Sequence, residues 1–284
     1  MSVFTMELNV GATKPFTIVH ITDTHLTLVD ERDDERKNVL AQERLSSFPH
    51  AEAVLIEAGE IANRLNAPII HTGDLIDFVS IANLERVKKF TDEHDCFMTA
   101  GNHEYSLYVG EAKEDAAYRA QSADKVQNSF KNDIRCSSRV INGVNFVSLD
   151  NGYYCFEKEQ LLFLKKEAEK GLPIILLLHV PIYEPKLFDV LMYHRGKVNL
   201  DKMTPPCAYL MGVPEDLLEE YAEERKVQQM ADELTSKAVD YIKTEPLIKA
   251  VITGHVHCNY EGELIKNVPQ LMTSCTDIRI ILVR

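Results

Sequence analysis

The six cysteines, Cys96, Cys136, Cys155, Cys207, Cys258 and Cys275, include no C-x-x-C pair. Scattered thiols in a chain of this length argue against a disulfide framework, and reduced cysteines in a cytoplasmic protein are expected. Nowhere do about 18 apolar residues run together, so no transmembrane helix is expected. The N-terminus lacks the basic start and apolar core of a secretory signal, and Lys14 is its first positive charge. Basic residues are scarce. There are 31 Lys and Arg against 44 Asp and Glu, a formal net charge of −13. Such a field repels polyanions and argues against nucleic-acid polymers or anionic membranes as partners, since both need a basic footprint. A small anionic substrate held by a local cation stays compatible with it. The sequence also has no internal repeat, no low-complexity segment and no glycine-rich linker.

What is present suffices for a large core: 284 residues, 45% of them hydrophobic. Residues 1–11 read as a lead-in or edge strand. Residues 16–22 are almost all apolar or β-branched, as in a strand buried on both faces. The charge run 30–37 reads as a solvated loop or helix start. Apolar positions Val54, Leu55, Ala58, Ile61, Ala62 and Leu65 follow a helical period over 51–65. Asn66 and Pro68 stop that helix, and a strand to Gly73 follows. This is the strand–helix–strand unit of a parallel sheet. A second helix spans 83–94, a polar one 111–128, and an amphipathic one 156–170 ended by Gly171. Asn142-Gly143 marks a hairpin within 139–150. Residues 184–212, broken by Pro185, Pro205 and Pro206, read as irregular, and 214–244 as one or two helices. Residues 259–284 read as antiparallel strands with a turn near Glu261-Gly262. The expectation is an α/β protein with mixed sheets, one domain over 1–284 with an insertion at about 184–244.

Five apolar runs end at residues that bind metals. They stop at Asp23-Thr24-His25, at Gly73-Asp74-Leu75-Ile76-Asp77, at Gly101-Asn102-His103-Glu104, at His179, and at Gly254-His255-Val256-His257. Asp23, His25, Asp74, Asn102, His179, His255 and His257 are therefore candidate metal ligands. All offer oxygen or nitrogen and none sulfur, which suits Mn, Fe, Zn or Co. Seven such ligands are too many for one ion, whereas two divalent ions sharing a carboxylate fit. On an extended backbone, i and i+2 point the same way, so Asp23 with His25 and His255 with His257 are expected to share a pocket. Two divalent ions outweigh Asp23, Asp74 and one bridging hydroxide, which leaves the centre at about +1. That centre suits a phosphoryl group, attacked in line by the hydroxide. His103 is then left to protonate or stabilise the leaving oxygen, with Glu104 to orient it.

The motifs D-x-H, G-D-x-x-D, G-N-H-[E/D], a lone His after a strand, and G-H-x-H occur here in one order. In this set the sequence resembles the calcineurin-like metallophosphoesterases, from about residue 16 to 257. The resemblance implies an α-β-β-α sandwich of two mixed sheets flanked by helices, with a dinuclear site at the strand ends. Carried over by motif, Asp23, His25, Asp74 and His257 would hold one metal. Asp74, Asn102, His179 and His255 would hold the other, with Asp74 bridging and His103 catalytic. Glu stands at 104 where many small bacterial members have Asp.

The expected activity is metal-dependent hydrolysis of phosphate mono- or diesters, with a cyclic-nucleotide or other small phosphodiesterase as the alternative. The run Ile21-Thr22-Asp23-Thr24-His25-Leu26 resembles that branch. A non-catalytic scaffold is disfavoured because the ligand set has no gap. Around the site, Asp77 is expected to cap a helix, and Tyr105 is a candidate for lining the pocket. His20 and His71, inside apolar runs, are expected as hydrogen-bonded core residues, and His50 and His94 as surface residues. Cys258 is expected to pack. Arg195, in the insertion beside His194, is a candidate phosphate contact, though a solvated loop is the plainer expectation. Oligomeric state is left open.

Overall fold

A computed structural model of the chain describes residues 1–110, 115–199, 209–219, 221 and 223–284. The strands in chain order are β1 (Val3–Leu8), β2 (Phe16–Ile21), β3 (Ile69–Thr72), β4 (Cys96–Thr99), β5 (Cys136–Ile141), β6 (Val144–Leu149), β7 (Ile174–Leu177), β8 (Ile248–Thr253), β9 (Tyr260–Ile265), β10 (Val268–Met272) and β11 (Ile278–Val283). The helices are α1 (Glu35–Leu45), α2 (Ala51–Leu65), α3 (Ile81–Glu93), α4 (Ala116–Ala120), α5 (Ala123–Gln127), α6 (Lys158–Ala168), α7 (Pro185–Asn199), α8 (Glu223–Gln229) and α9 (Glu233–Thr244).

Among the described residues, one sheet has five strands in the order β1-β11-β2-β3-β4 and the other six in the order β5-β6-β7-β8-β10-β9. Both are mixed. β2, β3 and β4 run parallel, as do β6, β7 and β8. Their facing sides bury Ile18, Ile70 and Phe97 of the first sheet against Phe146, Ile175, Leu177 and Ile252 of the second. On the outer side of the first sheet, Val54, Leu55, Ala58 and Ile61 of α2 meet Val19, Ile21 and Ile69. Leu164 of α6 and Ala238 and Ile242 of α9 cover the second sheet in the same way. The result is the expected α/β sandwich, helices outside and sheets inside. Strands buried on both faces must be apolar throughout, and β3, β4 and β7 are fully buried.

Helix boundaries follow their capping chemistry. α2 ends at Asn66, whose left-handed φ of 48° closes the last turn before Pro68. α3 starts at Ser80, whose hydroxyl accepts the Asn83 N–H. The hairpin at Asn142-Gly143 joins β5 to β6, with positive φ at both residues.

Three expectations differ from the structure. The proline-broken stretch 184–212 contains α7, because Pro185 sits at the first helical position, where its missing N–H costs nothing. Pro205 and Pro206, like the start of the polar helix at 111–114, lie outside the described residues, as do the Arg195 and His194 side chains. The C-terminal turn is at Lys266-Asn267, with Asn267 at φ 66°, while Glu261 and Gly262 lie inside β9. An Asn in the left-handed region outweighed the Glu-Gly pair. The polar segment 111–128 forms two short helices, α4 and α5, rather than one.

His20 and His71 are both buried. His20 lies in hydrogen-bond reach of Thr273 (2.8 Å) and Thr72 (2.9 Å), and burial keeps its pKa well below the usual histidine value. A histidine with a depressed folded pKa contributes stability that is complete above the unfolded pKa. That stability is lost as pH falls below about 6.5. Relative to the wild type, His20→Gln is expected to flatten the fall in unfolding free energy between pH 6.5 and 5, by up to about 1.4 kcal/mol per pH unit. Denaturant titrations at several pH values check this, and parallel curves would refute it.

Candidate metal centre

The seven expected donors all follow parallel strands. Asp23 and His25 follow β2, Asp74 follows β3, Asn102 follows β4, His179 follows β7, and His255 and His257 follow β8. Parallel strands end at a common edge, so their following residues meet in one place. There the side chains form two groups around one oxygen. On one side His25 Nε2 lies 3.6 Å from Asp74 Oδ2 and 3.1 Å from His257 Nε2, with His257 Nε2 3.3 Å from Asp23 Oδ1. On the other, His179 Nε2 lies 3.1 Å from the same Asp74 Oδ2, 3.1 Å from Asn102 Oδ1 and 3.2 Å from His255 Nδ1.

The backbone that aims these groups is not extended. Asp23, His25, Asp74, His255 and His257 have φ of 52°, 51°, 57°, 71° and 52°. The shared direction of Asp23 with His25, and of His255 with His257, therefore comes from left-handed kinks and not from strand alternation. A non-glycine residue pays about 1–3 kcal/mol for such a conformation. Close packing holds the kinks in place. A Cβ on Gly101 would lie 2.7 Å from the Asp74 nitrogen and 2.8 Å from His179 Cε1, so only glycine fits there.

Three of the four imidazoles, those of His25, His179 and His255, are turned by their outer nitrogens. His25 Nδ1 donates to Asp77 Oδ1 (2.9 Å), and His179 Nδ1 donates to the Thr72 carbonyl (2.7 Å). His255 Nε2 is 2.5 Å from the Tyr154 hydroxyl. Those bonds leave Nε2, Nε2 and Nδ1 with lone pairs facing the centre. Acceptor atoms 3.1–3.3 Å apart repel one another unless cations or protons lie between them. The residues present thus fit a pair of divalent cations bound by nitrogen and oxygen. Burial opposes charge on His179, but Asp74 and Asp23 outweigh it and raise its pKa to about 10. Burial lowers that of His25 to about 4.

His103 sits beside both groups. Its Nδ1 donates to the Asp77 carbonyl (2.7 Å), and Asp77 Oδ1 is 3.2 Å from the same nitrogen. Nε2 is the nitrogen left for the cleft. Burial works against its charge, but Asp74 and Asp77 together raise its pKa to about 9.

The surrounding residues depart from expectation. Glu104 does not orient His103. Its carboxylate accepts the N–H groups of Asp74 (2.8 Å), Leu75 (2.6 Å) and Gly101 (2.6 Å), pinning the two turns together. Asp77 does not cap α3, a task Ser80 performs. Asp77 instead accepts from His25 and from Arg44, with Arg44 Nε at 2.6 Å and Nη2 at 2.9 Å. Tyr105 does not line the cleft. It is 1% exposed, within the core under α2 and α3, because the turn at Glu104 points it inward.

Sequence reasoning missed Arg44, Phe48 and Tyr154. Arg44 lies in the last turn of α1, and the Phe48 ring stacks on His25 at 4.0 Å and 16°. Their segment carries no motif, only a charge run. Tyr154 follows β6, which ends at the same edge as β7 and β8, and its φ of 59° is a kink like those of the proposed ligands. The strand's position was the available signal. A cleft of about 780 Å³ opens over the centre, lined among others by His25, Arg44, Phe48, Asp74, Asn102, His103, Tyr154, Tyr209, Arg225, His255 and His257.

A profile of the calcineurin-like phosphoesterases matches residues 16–259. The chain belongs to this family. This phosphoesterase is accordingly a metal-dependent hydrolase of phosphoric ester bonds, and its cofactor is a dinuclear centre of divalent ions. No curated protein matches it. Among solved structures it is similar to a dimetal phosphatase from Danio rerio, at 12% identity and TM-score 0.48 over 92% of this chain and 88% of that one. A putative 5'-nucleotidase from Staphylococcus aureus is similar at 12% identity and TM-score 0.46, over 92% of this chain and 49% of that one. A phosphopantetheinyl hydrolase from Mycobacterium tuberculosis is similar at 10% identity and TM-score 0.40, over 92% and 90%.

Ligation needs neutral imidazole, whereas Asp74 and Asp23 favour the charged form of His179 when no metal is bound. Metal uptake at pH 7 is therefore expected to release a proton, read as a buffer-dependent enthalpy in titration calorimetry. An enthalpy independent of buffer would refute this. Tyr154→Phe, which removes the outer partner of His255, is expected to weaken one of the two metal-binding events by about tenfold and leave the other unchanged.

Proposed function

We propose that the phosphoesterase hydrolyses small phosphate esters at this centre. Asp23, His25, Asp74 and His257 hold one divalent ion in this reading, and Asp74, Asn102, His179 and His255 hold the other. The observation that carries it is the single oxygen Asp74 Oδ2, approached by His25 Nε2 at 3.6 Å and by His179 Nε2 at 3.1 Å. When bound, the two ions supply Lewis acidity toward the phosphoryl oxygens and lower the pKa of the attacking water.

The chain's own groups do the rest. His103 Nε2 gives its proton to the departing oxygen, and the Asp77 carbonyl and carboxylate hold the ring and favour its charged form. Arg44 keeps Asp77 ionised and in place. Glu104 fixes the turns that carry Asp74 and Asn102.

The net charge of −13 supports a small substrate over a nucleic-acid polymer. Among the described residues no helix is long and apolar enough to cross a membrane. The free thiols of Cys96, Cys136, Cys155, Cys258 and Cys275 support a cytoplasmic site of action. The core shared by the two sheets supports reading 1–284 as one domain, with 184–244 added to it.

The test pairs metal content by mass spectrometry with turnover of an aryl phosphate monoester and its bis-aryl diester, with Mn²⁺ supplied. About two metals per chain and turnover of either ester are expected. The preferred ester separates phosphatase from phosphodiesterase. Asp74→Asn is expected to lower both metal occupancies and abolish turnover; full activity at full occupancy would overturn the assignment. His103→Ala is expected to keep both metals and lose about 100-fold or more in kcat, chiefly with poor leaving groups.

A further inference from the structure

The cleft walls differ in character on the two sides of the centre. On the His25 side, Arg44 is committed to Asp77 by two hydrogen bonds, and Phe48 covers the His25 ring. On the His255 side the wall comes from the segment between β7 and β8. Tyr209 presents its ring at 6.2 Å from the His255 ring, at 82°. Arg225 of α8 lies over the Tyr209 ring at 5.5 Å. Beside it, Val227 and Met230 line the same cleft, although they are 67% and 45% exposed.

Among the described residues, Arg44 and Arg225 are the two Lys or Arg side chains lining the cleft. Among the described residues, Arg225 is held by the Gln228 amide oxygen (2.6 Å) and by the Tyr209 ring, and no carboxylate pairs with it. In a chain with net charge −13, a guanidinium set on an aromatic face without a carboxylate is conspicuous. Val227 and Met230 add apolar surface to the wall beside it. Among the described residues the wall thus pairs an apolar, aromatic surface with the Arg225 guanidinium; Asp232 lines the same cleft, where it caps α9 by accepting the Thr235 N–H (2.6 Å).

Resting on the phosphoester reading above, we propose that Tyr209, Arg225, Val227 and Met230 form a leaving-group subsite. It would select phosphate esters whose alcohol carries a flat ring with a negatively charged substituent about one ring-length from the phosphorus. The phosphoryl group lies over the centre, the ring against Tyr209 and the apolar pair, and the anion on Arg225. Tyr209 and Arg225 act here as specificity residues and take no part in bond breaking.

The test reads binding separately from chemistry. Calorimetry on the manganese-loaded chain would compare butylphosphonate, benzylphosphonate and 4-carboxybenzylphosphonate, none of which can be hydrolysed at the carbon–phosphorus link. The carboxylated compound is expected to bind at least about tenfold tighter than benzylphosphonate, as a charge-assisted hydrogen bond allows. Benzylphosphonate should in turn bind tighter than the butyl compound. Arg225→Met should erase the carboxylate advantage and leave the other two affinities within about twofold, while Arg225→Lys should keep part of it. Tyr209→Leu should erase the benzyl advantage. Equal affinity of the wild type for the benzyl and carboxybenzyl compounds would overturn the proposal. Equal weakening of all three by Arg225→Met, at unchanged metal content, would do the same. Absence of turnover on every aryl phosphate would count against the hydrolysis reading and leave the subsite to be decided by these affinities.

Discussion

Repulsion among acceptor atoms turned toward one point is the constraint on which the rest of this structure depends. Asp23, Asp74, Asn102 and four imidazoles bring donor atoms within 3.1–3.6 Å of one another at the floor of the cleft, with Asp23, His25, Asp74 and His179 buried. Burying such a set is costly unless cations or protons neutralise it. The backbone adds to the cost, since five of these residues sit in left-handed conformations. The surroundings are built to tolerate this. Glu104 ties the Asp74 and Gly101 turns through three backbone N–H groups, and the Asp23 carboxylate accepts the His255 N–H at 2.8 Å. A divalent pair would release the remaining strain by turning repulsion into ligation.

Asp77 is the second focus. One carboxylate meets His25, His103 and Arg44. It therefore couples a proposed metal ligand to the proposed proton donor, and both to the end of α1. His25 is gripped on two sides, by Asp77 at its edge and by Phe48 on its face at 4.0 Å. On the opposite flank Tyr154 plays the edge role for His255, and Tyr209 approaches its ring. The two halves of the centre are thus supported by separate parts of the chain, Arg44 and Phe48 on one flank, and Tyr154 after β6 with Tyr209 after β7 on the other.

Much of the fold was legible because it rests on local chemistry. The apolar runs at 16–22 and 174–178 had to be strands buried on both faces, and the period over 51–65 gave α2 with both of its bounds. Asn142-Gly143 specified its hairpin. Prolines misled where their position inside or outside a helix could not be told apart, and Pro185 begins α7. The C-terminal turn was misplaced because β9 accommodates Gly262 at a site where it pairs with Gln270. At the site, the motif residues were legible because metal chemistry restricts which side chains can serve. Their supports were not. Glu104 and Asp77 could each serve several partners, and only the fold decides which N–H group comes within reach.

The sequence by itself therefore determined which donor side chains stand at the ends of the apolar runs, and that they offer nitrogen and oxygen without sulfur. These follow from residue type and order alone. Tertiary structure alone decided that Asp77 holds His103 while Glu104 braces the turns. It also decided that Tyr154 faces His255 and that Arg225 stands over Tyr209 at the cleft wall. The reason is geometric. A hydrogen bond or ring contact depends on separations of a few tenths of an ångström between segments distant in the chain, and no spacing along a sequence encodes those.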